Sequence, residues 1–116
     1  MNLYHCMIEL KSDTKALAFA QAMTAWMEHL QTAGKIGAWR LLRRKLELAS
    51  DGHTDFLLEV EVEDMAQLDQ AFRHVSSQSV DVAELYNAVH GMIAQSRAGL
   101  YRPFPDPERA ERVALV

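Results

Sequence analysis

Two histidines and a tyrosine are the side chains of this sequence best suited to moving a proton. His5 lies in a predicted strand, and His90 follows Tyr86 by four residues, which is one turn of a predicted helix. Because histidine titrates near neutral pH, either ring in a cleft could serve as a general acid or base. A structural histidine fits the same pattern. The sequence therefore gives His5, His90 and Tyr86 as catalytic candidates without assigning a catalytic role.

A cluster of basic residues could bind an anion. Four of the 12 lysines and arginines fall within six positions, at Arg40, Arg43, Arg44 and Lys45. Guanidinium groups form forked hydrogen bonds to carboxylates and phosphates, so Arg40 and Arg44 are candidate ligand-binding residues. The alternative is a charged strand whose basic side chains pair with acidic residues of the next strand, such as Glu59. The acidic partner strand favours this second interpretation.

Two aromatic residues, Trp39 and Tyr101, are further candidates for contact with a ligand. Both fall in predicted strands near the ends of a sheet, where an amphipathic ring suits a cavity and a subunit interface equally well. Trp26 belongs instead to the apolar stripe of a predicted helix, so we expect it in the core. The candidate ligand-binding residues are therefore Trp39, Arg40, Arg44 and Tyr101.

The sequence has no motif typical of a metal or cofactor site. Its five histidines lack the H-x-x-x-H spacing, and the single cysteine, Cys6, excludes an internal disulfide and a site built from several thiolates. Cys6 lies among apolar neighbours, so we expect an inert thiol. Glycine-rich phosphate-binding loops and nucleophile-elbow motifs are absent from the sequence. We predict neither a metal nor a cofactor.

Length and composition fit one globular domain. The 116 residues are 49% hydrophobic and 24% charged, as in ordinary soluble domains. The formal net charge of −4 argues against nucleic acid, because phosphate binding requires a basic face. No segment approaches the ~18 apolar residues that span a bilayer, and no secretion signal is visible. We predict a cytoplasmic protein that binds neither nucleic acid nor membranes.

A strand and a helix open the predicted fold. Residues 3–10 alternate so that one face carries Tyr4, Cys6, Ile8 and Leu10. Apolar residues then recur at three- and four-residue spacing over residues 16–33, which predicts an amphipathic helix. Ser12 and Asp13 are its candidate N-caps, and Gly34 is expected to end it in the left-handed conformation.

A long β-hairpin follows, with a basic first arm and an acidic second arm. A tight turn at Asp51-Gly52 sets a register in which Leu42 faces Val60 and Arg43 faces Glu59. This register places Arg40 and Arg44 on the apolar face of the hairpin. Either these two side chains reach the sheet edge, or a bulge near Leu41-Leu42 changes the phase of the strand.

Two helices, a strand and a tail complete the chain. Asp64 is expected to cap the second helix, and residues 81–84 form a candidate capping box for a third helix that extends to Ile93. Residues 100–102 are predicted as a short closing strand. Three prolines then favour an extended tail. We therefore predict one domain over residues 1–103 and a C-terminal tail over residues 104–116.

This order of elements predicts an α+β fold. A β-α-β-β-α-β arrangement with an extra helix gives a four-stranded antiparallel sheet with helices on one face. In the predicted register the other face carries Met7, Trp39, Leu41 and Leu57, which is too apolar to remain exposed. Face-to-face pairing of two sheets in a homodimer would cover it.

In its element order and hydrophobic pattern over residues 1–103, the chain resembles the dimeric α/β-barrel superfamily. These are ferredoxin-like, antibiotic-monooxygenase-like domains in which two sheets close into one barrel. The segment Leu100-Tyr-Arg-Pro-Phe-Pro-Asp-Pro is similar to small uncharacterised bacterial families of that superfamily. The resemblance implies a homodimer, but it implies no single function, because the superfamily includes cofactor-independent oxygenases, haem-degrading enzymes, isomerases, peroxidases and ligand-binding regulators.

Three functions stay open at this point. The first is a homodimer that binds a small organic ligand between sheet and helices. The second is a cofactor-independent monooxygenase or isomerase acting on a small aromatic or lactone-type substrate, with His5 or His90 as base. The third is a structural dimeric interaction module. Haem chemistry is disfavoured because the asparagine, aromatic and histidine set of the haem-degrading members is not found at matching positions.

Overall fold

The structure is a computed structural model that describes residues 1–45, 48, 50–76 and 79–105. In these ranges the chain forms four strands and three helices: β1 (Asn2–Leu10), α1 (Ala16–Thr32), β2 (Trp39–Arg43), β3 (Phe56–Val62), α2 (Met65–Ser76), α3 (Val80–His90) and β4 (Ile93–Tyr101). The strands form one antiparallel sheet in the order β2-β3-β1-β4. The predicted α+β fold is confirmed. Most of the predicted tail, residues 106–116, lies outside the described residues.

The hydrophobic core lies between one face of the sheet and the helices. Every second residue of β3 is buried, from Phe56 to Val62, as the alternation of a half-covered strand requires. The predicted stripe of α1 is confirmed, with Phe19 and Trp26 among its buried side chains. Phe19 is fully buried and its ring centroid lies 5.1 Å from that of Phe56. Burying a side chain of this size contributes roughly 1.5–3 kcal/mol.

The pairing of β2 with β3 differs from the predicted register. Leu42 faces Leu57 and Arg40 faces Glu59, whereas a tight hairpin placed Leu42 opposite Val60. The offset of three residues is odd, so it exchanges the two faces of β2. The predicted turn at Asp51-Gly52 is present, since the His53 N–H donates to the Ser50 carbonyl over 3.3 Å and Gly52 has a φ of 91°. The predicted register was wrong because this turn does not join the paired strands directly: β2 ends at Arg43, and beyond it the Arg44 N–H still donates to the Asp55 carbonyl over 2.9 Å. The connection that follows is much longer than two residues.

The exchange changes which side chains of β2 reach the core. Trp39 and Leu41 pack against the buried cluster, although the sequence placed them on the uncovered face. Arg40 and Leu42 occupy the opposite face instead. The register therefore places Arg40 and Arg44 on the face opposite the core. No bulge is needed for this, because β2 pairs regularly with β3 from Trp39 to Arg43.

The face of the sheet away from the helices is called the open face. Strand alternation and register place on it Leu3, His5, Met7, Arg40, Leu42, Leu57, Glu59, Glu61, Arg97 and Tyr101. The expected apolar character of this face is confirmed for Met7 and Leu57. The prediction that Trp39 and Leu41 lie on this face was wrong, and Leu42 is the apolar residue that β2 contributes to it.

The helix ends agree only in part with the predicted caps. Gly34 follows α1 with a φ of 73°, as predicted, and the Asp64 carboxylate accepts from the Gln67 N–H over 2.8 Å. Ser12 and Asp13 do not cap α1, because its N-cap is Lys15, which makes no side-chain capping bond. The cap of α3 is Ser79, whose hydroxyl accepts from the Val82 N–H over 3.3 Å.

The boundary between α3 and β4 also differs from the prediction. The helix ends at His90, and β4 runs for nine residues from Ile93 rather than three from Leu100. Met92 and Ile93 continue the helical spacing of apolar residues, which is why the sequence favoured a longer helix. The nine-residue β1 needs a partner for its outer edge, and this long-range pairing overrides the local pattern.

Candidate functional site

A cavity of about 290 Å³ lies between the helix-covered face of the sheet and all three helices. The sheet contributes Tyr4 and Cys6, α1 contributes Trp26, and α3 contributes Tyr86 and His90. Most of the remaining lining is aliphatic, and the described lining residues include no lysine, arginine, aspartate or glutamate. Its size is at the lower end for small-molecule sites. The arrangement fits a small uncharged molecule with apolar surface.

Helix α3 brings Tyr86 and His90 together at this cavity. Their ring centroids are 3.7 Å apart and the planes are inclined by 22°. The His90 Nδ1 lies 2.9 Å from the Tyr86 backbone carbonyl. A carbonyl only accepts, so Nδ1 carries a proton and Nε2 of the neutral ring keeps its lone pair. His90 is thus oriented as a base or a hydrogen-bond acceptor.

Tyr4 and Cys6 line the sheet side of the cavity. Burial raises the pKa of Tyr4, and the negative charges that Cys6 and Tyr86 could carry raise it further. The Tyr4 hydroxyl therefore keeps its proton at neutral pH and can donate a hydrogen bond. Burial also raises the pKa of the Cys6 thiol, which agrees with the inert thiol expected from the sequence.

Aromatic contacts connect the cavity wall to a pair of histidines. Trp26 meets Tyr86 edge-on, with ring centroids 5.9 Å apart, and stacks on His29 at the same separation. His29 in turn lies with its Nε2 atom 2.9 Å from the Nε2 atom of His74. Sequence reasoning missed this pair because 45 residues separate the two positions. Local spacing within one helix carries no signal for such a contact.

Phe72 and His90 are two residues at which the cavity lining reaches the protein surface. Both side chains line the cavity and both are exposed. Phe72, on α2, meets the Tyr4 ring edge-on at a centroid distance of 5.7 Å. This contact joins α2 to the sheet at the cavity wall.

The structure places His5 and Tyr101 away from this cavity. Both belong to the open face, where their rings meet edge-on with centroids 5.5 Å apart. His5 is therefore separated by the sheet from His90 and Tyr86. The predicted catalytic candidates divide into one pair at the cavity and one histidine on the opposite face.

The candidate ligand-binding residues of the hairpin also lie apart from the cavity. The Arg40 guanidinium forms an ion pair with Glu59 across the strands. Arg44 lies 3.6 Å from Asp55, whose carboxylate also accepts from the Leu10 N–H. Trp39 packs against the edge of the core. Acidic residues therefore pair with Arg40 and Arg44, which are two of the four basic residues of the cluster.

Two shallower hollows are present at the open face. One of about 470 Å³ is lined in part by His5, Leu42 and Arg44, and another of about 390 Å³ in part by Trp39 and Arg40. They lie toward opposite ends of the same face. Each is a groove that a second protein surface could cover.

Metal-ligating side chains do not cluster in the part of the chain that the structure describes. No group of three or more His, Cys, Asp or Glu side chains could hold a metal ion in these ranges. Among the described helices, none has the length and apolar character needed to cross a membrane.

Comparison with known proteins gives one family match and several structural matches. The model of a family of unknown function, DUF6614, matches residues 1–116. No curated protein matches the chain.

Solved structures share the fold at low sequence identity. The protein At3g17210 from Arabidopsis thaliana has a TM-score of 0.69 at 10% identity, over 89% of this chain and 95% of that one. A dimeric ferredoxin-like protein of unknown function from Thermobifida fusca has a TM-score of 0.62 at 15% identity, over 89% and 92%. SnoaB, a cofactor-independent oxygenase from Streptomyces nogalater, has a TM-score of 0.65 at 11% identity, over 90% and 97%. The predicted resemblance to dimeric ferredoxin-like domains is confirmed for the fold.

Proposed function

Because the chain belongs to the DUF6614 family of unknown function, its role must be argued from its site, and we propose that it is a homodimer that binds a small, uncharged aromatic or lactone-type molecule. The observation that carries this proposal is the cavity between sheet and helices. A cytoplasmic location stays a prediction from the sequence.

The lining of the cavity supports this class of ligand. Trp26 and Tyr86 offer ring edges and faces to an aromatic molecule. The Tyr4 hydroxyl can donate a hydrogen bond, and the His90 Nε2 atom can accept one. A carboxylate or phosphate would find no cationic lysine or arginine among the described lining residues, and burying it unpaired is costly. An uncharged ligand with one polar edge is therefore favoured.

The open face supports the homodimer. Leu42, Leu57 and Met7 stand side by side in register across three strands. Leu42 is 40% exposed, and such an apolar row on one sheet face favours burial against another surface. The related protein from Thermobifida fusca is described as dimeric and ferredoxin-like. A second copy of this chain is the occupant that fits.

A second candidate function is catalysis without a cofactor, and the Tyr86–His90 arrangement favours it. A neutral His90 could take a proton from an acidic phenol or carbon of the ligand at Nε2, leaving the negative charge on the ligand oxygen. The Tyr4 hydroxyl could donate a hydrogen bond to that oxygen. SnoaB, which shares the fold, is a cofactor-independent oxygenase.

Ligand binding is tested with native mass spectrometry and a fluorescent probe. Protein purified from its own host should carry a retained small-molecule mass. The probe N-phenyl-1-naphthylamine, which is neutral and aromatic, should bind once per chain. We expect Ala71→Phe, which fills the cavity, to weaken probe binding at least tenfold, while Leu17→Phe on the exposed face of α1 leaves it unchanged. Equal affinities in both variants would contradict the proposal.

Catalysis is tested with the retained molecule or its close analogues. Conversion should be lost in His90→Ala and kept in His53→Ala, since His53 is exposed, does not line this cavity and has its Nδ1 atom 3.0 Å from the Ser50 carbonyl. If the wild-type protein binds these molecules without converting them, the ligand-binding function is supported and catalysis on these molecules is excluded.

A further inference from the structure

The pair His29 and His74 joins two helices that are far apart in sequence. His29 lies in the last turn of α1 and His74 in the last turn of α2. Their Nε2 atoms are 2.9 Å apart and both side chains are partly buried. At this distance one ring donates its N–H and the other accepts. The pair is therefore a hydrogen bond whose existence depends on where the protons are.

The two helices form facing walls of the cavity. Helix α1 contributes Trp26 and Met27 to the lining, and α2 contributes Phe72 and Val75. His29 stacks on Trp26, with the two planes inclined by only 10°. His74 lies between Phe72 and Val75 in sequence. The hydrogen bond thus fixes the two walls relative to each other, next to residues that a ligand would touch.

We infer that His29 and His74 form a proton-controlled clasp, which holds α1 and α2 closed over the bound ligand at neutral pH and releases them in acid. The inference rests on the proposed function in one respect, namely that the cavity holds a ligand.

The proton count gives the direction of the effect. The neutral pair has one donor and one acceptor, and the pair with one added proton still has one acceptor. When both rings are protonated, two N–H groups face each other and no acceptor remains, so the bond is lost and the like charges repel. Opening therefore requires the second proton.

The surroundings of the pair oppose that second proton. Burial lowers the pKa of His74, and the positive charges of His29 and Lys35 lower it further. Lys35 comes from the segment after α1. The neighbouring Arg73 on α2 directs its guanidinium to Asp69, 2.8 Å away, and on the α3 side the wall residue in contact with Trp26 is the uncharged Tyr86. The clasp is thus closed at neutral pH and opens as the pH falls.

A metal ion is the alternative occupant of two converging imidazoles. Lys35 adds positive charge there, and no third His, Cys, Asp or Glu side chain completes a site within the described ranges. A shared proton needs neither a third ligand nor an anionic environment. The observations favour the proton.

The test measures how fast N-phenyl-1-naphthylamine leaves the cavity at pH 7.5 and at pH 5.0. By stopped-flow fluorescence we expect the dissociation rate of the wild-type protein to rise at least tenfold in acid. In His74→Gln the amide oxygen can accept from His29 in either protonation state, so the rate should change less than twofold. His53→Gln, at an exposed histidine, should behave as the wild type. An equal rise in wild type and His74→Gln would overturn the inference.

A second measurement does not depend on ligand binding. Hydrogen exchange of the ligand-free protein, corrected for intrinsic rates, should show at least tenfold lower protection of α2 at pH 5.0 than at pH 7.5, and His74→Gln should lose this dependence. Failure of the probe to bind would count against the proposed function, while the exchange data still test the clasp. Unchanged protection of α2, or a bound metal ion that depends on both histidines, would overturn it.

Discussion

Cys6 is a reporter inside the cavity because it is the single thiol of the chain. Burial raises its pKa, so at pH 8 a smaller fraction is thiolate than for a free cysteine, and the thiolate is the reactive form. We predict that iodoacetamide alkylates Cys6 at least fivefold more slowly than it alkylates glutathione. Saturation with the neutral probe should slow the reaction further. Mass spectrometry of timed samples measures both rates.

The control for this prediction is the protein unfolded in urea, which should react at the rate of free cysteine. Alkylation that proceeds equally fast with and without bound probe would mean that the probe does not occupy the space in front of Cys6.

At the same scale, His74 makes stability depend on pH in a definite direction. Its folded pKa lies below the ordinary value of 6.5, so between these two values the unfolded chain binds the proton more tightly than the folded one. The free energy of unfolding must therefore fall as the pH drops from about 6.5 through the folded pKa. We predict that the urea midpoint decreases more between pH 7.5 and pH 5 in the wild-type protein than in His74→Gln.

The comparison of the two proteins removes the contribution of the other titrating groups, which they share. Parallel curves would show that His74 titrates alike in the folded and unfolded chains.

At the scale of elements, α3 has two candidate N-caps, Ser79 from the structure and Asp81 from the sequence. The Ser79 hydroxyl accepts from the Val82 N–H, and Asp81 is the second residue of the helix, within its first turn. Removing an N-cap side chain costs ~1 kcal/mol, whereas a carboxylate in the first turn contributes ~0.3–1 kcal/mol through the helix dipole. We predict that Ser79→Ala lowers the free energy of unfolding more than Asp81→Ala does. Equilibrium unfolding in urea measures both, and the reverse order would favour the cap predicted from the sequence.

Local patterns predicted the elements whose partners are near in sequence. The alternation in β1, the apolar stripe of α1 and the Asp64 cap were all correct, since each follows from the geometry of a single element. The β2 register and the start of β4 were wrong because distant pairing sets them. Leu42 faces Leu57 only because the connection before Phe56 is long, and Ile93 joins a strand only because β1 offers an unpaired edge.

At the scale of the molecule, the candidate site was also predicted where its residues are close in sequence and missed where they are distant. Tyr86 and His90 were predicted together because one helical turn separates them. His5 was the alternative candidate base, and the sheet separates it from them; the sequence could not show this, since no local pattern relates a strand face to a distant helix. The cavity itself arises from three helices over one sheet face. The His29–His74 bond needs that packing to form, so sequence spacing could not predict it.

The apolar residues of the open face also allow a prediction of how two chains pair in the dimer. Leu57 lies on an inner strand of the open face between Leu42 and Met7, where face-to-face pairing would bury it. A carboxylate placed there would lose its hydration without gaining a partner. We predict that Leu57→Asp raises the dimer dissociation constant at least 100-fold. Leu17→Asp, at a residue 71% exposed on α1, should remain as dimeric as the wild type in sedimentation velocity. If Leu57→Asp stays fully dimeric while folded, the two sheets do not pair through this face.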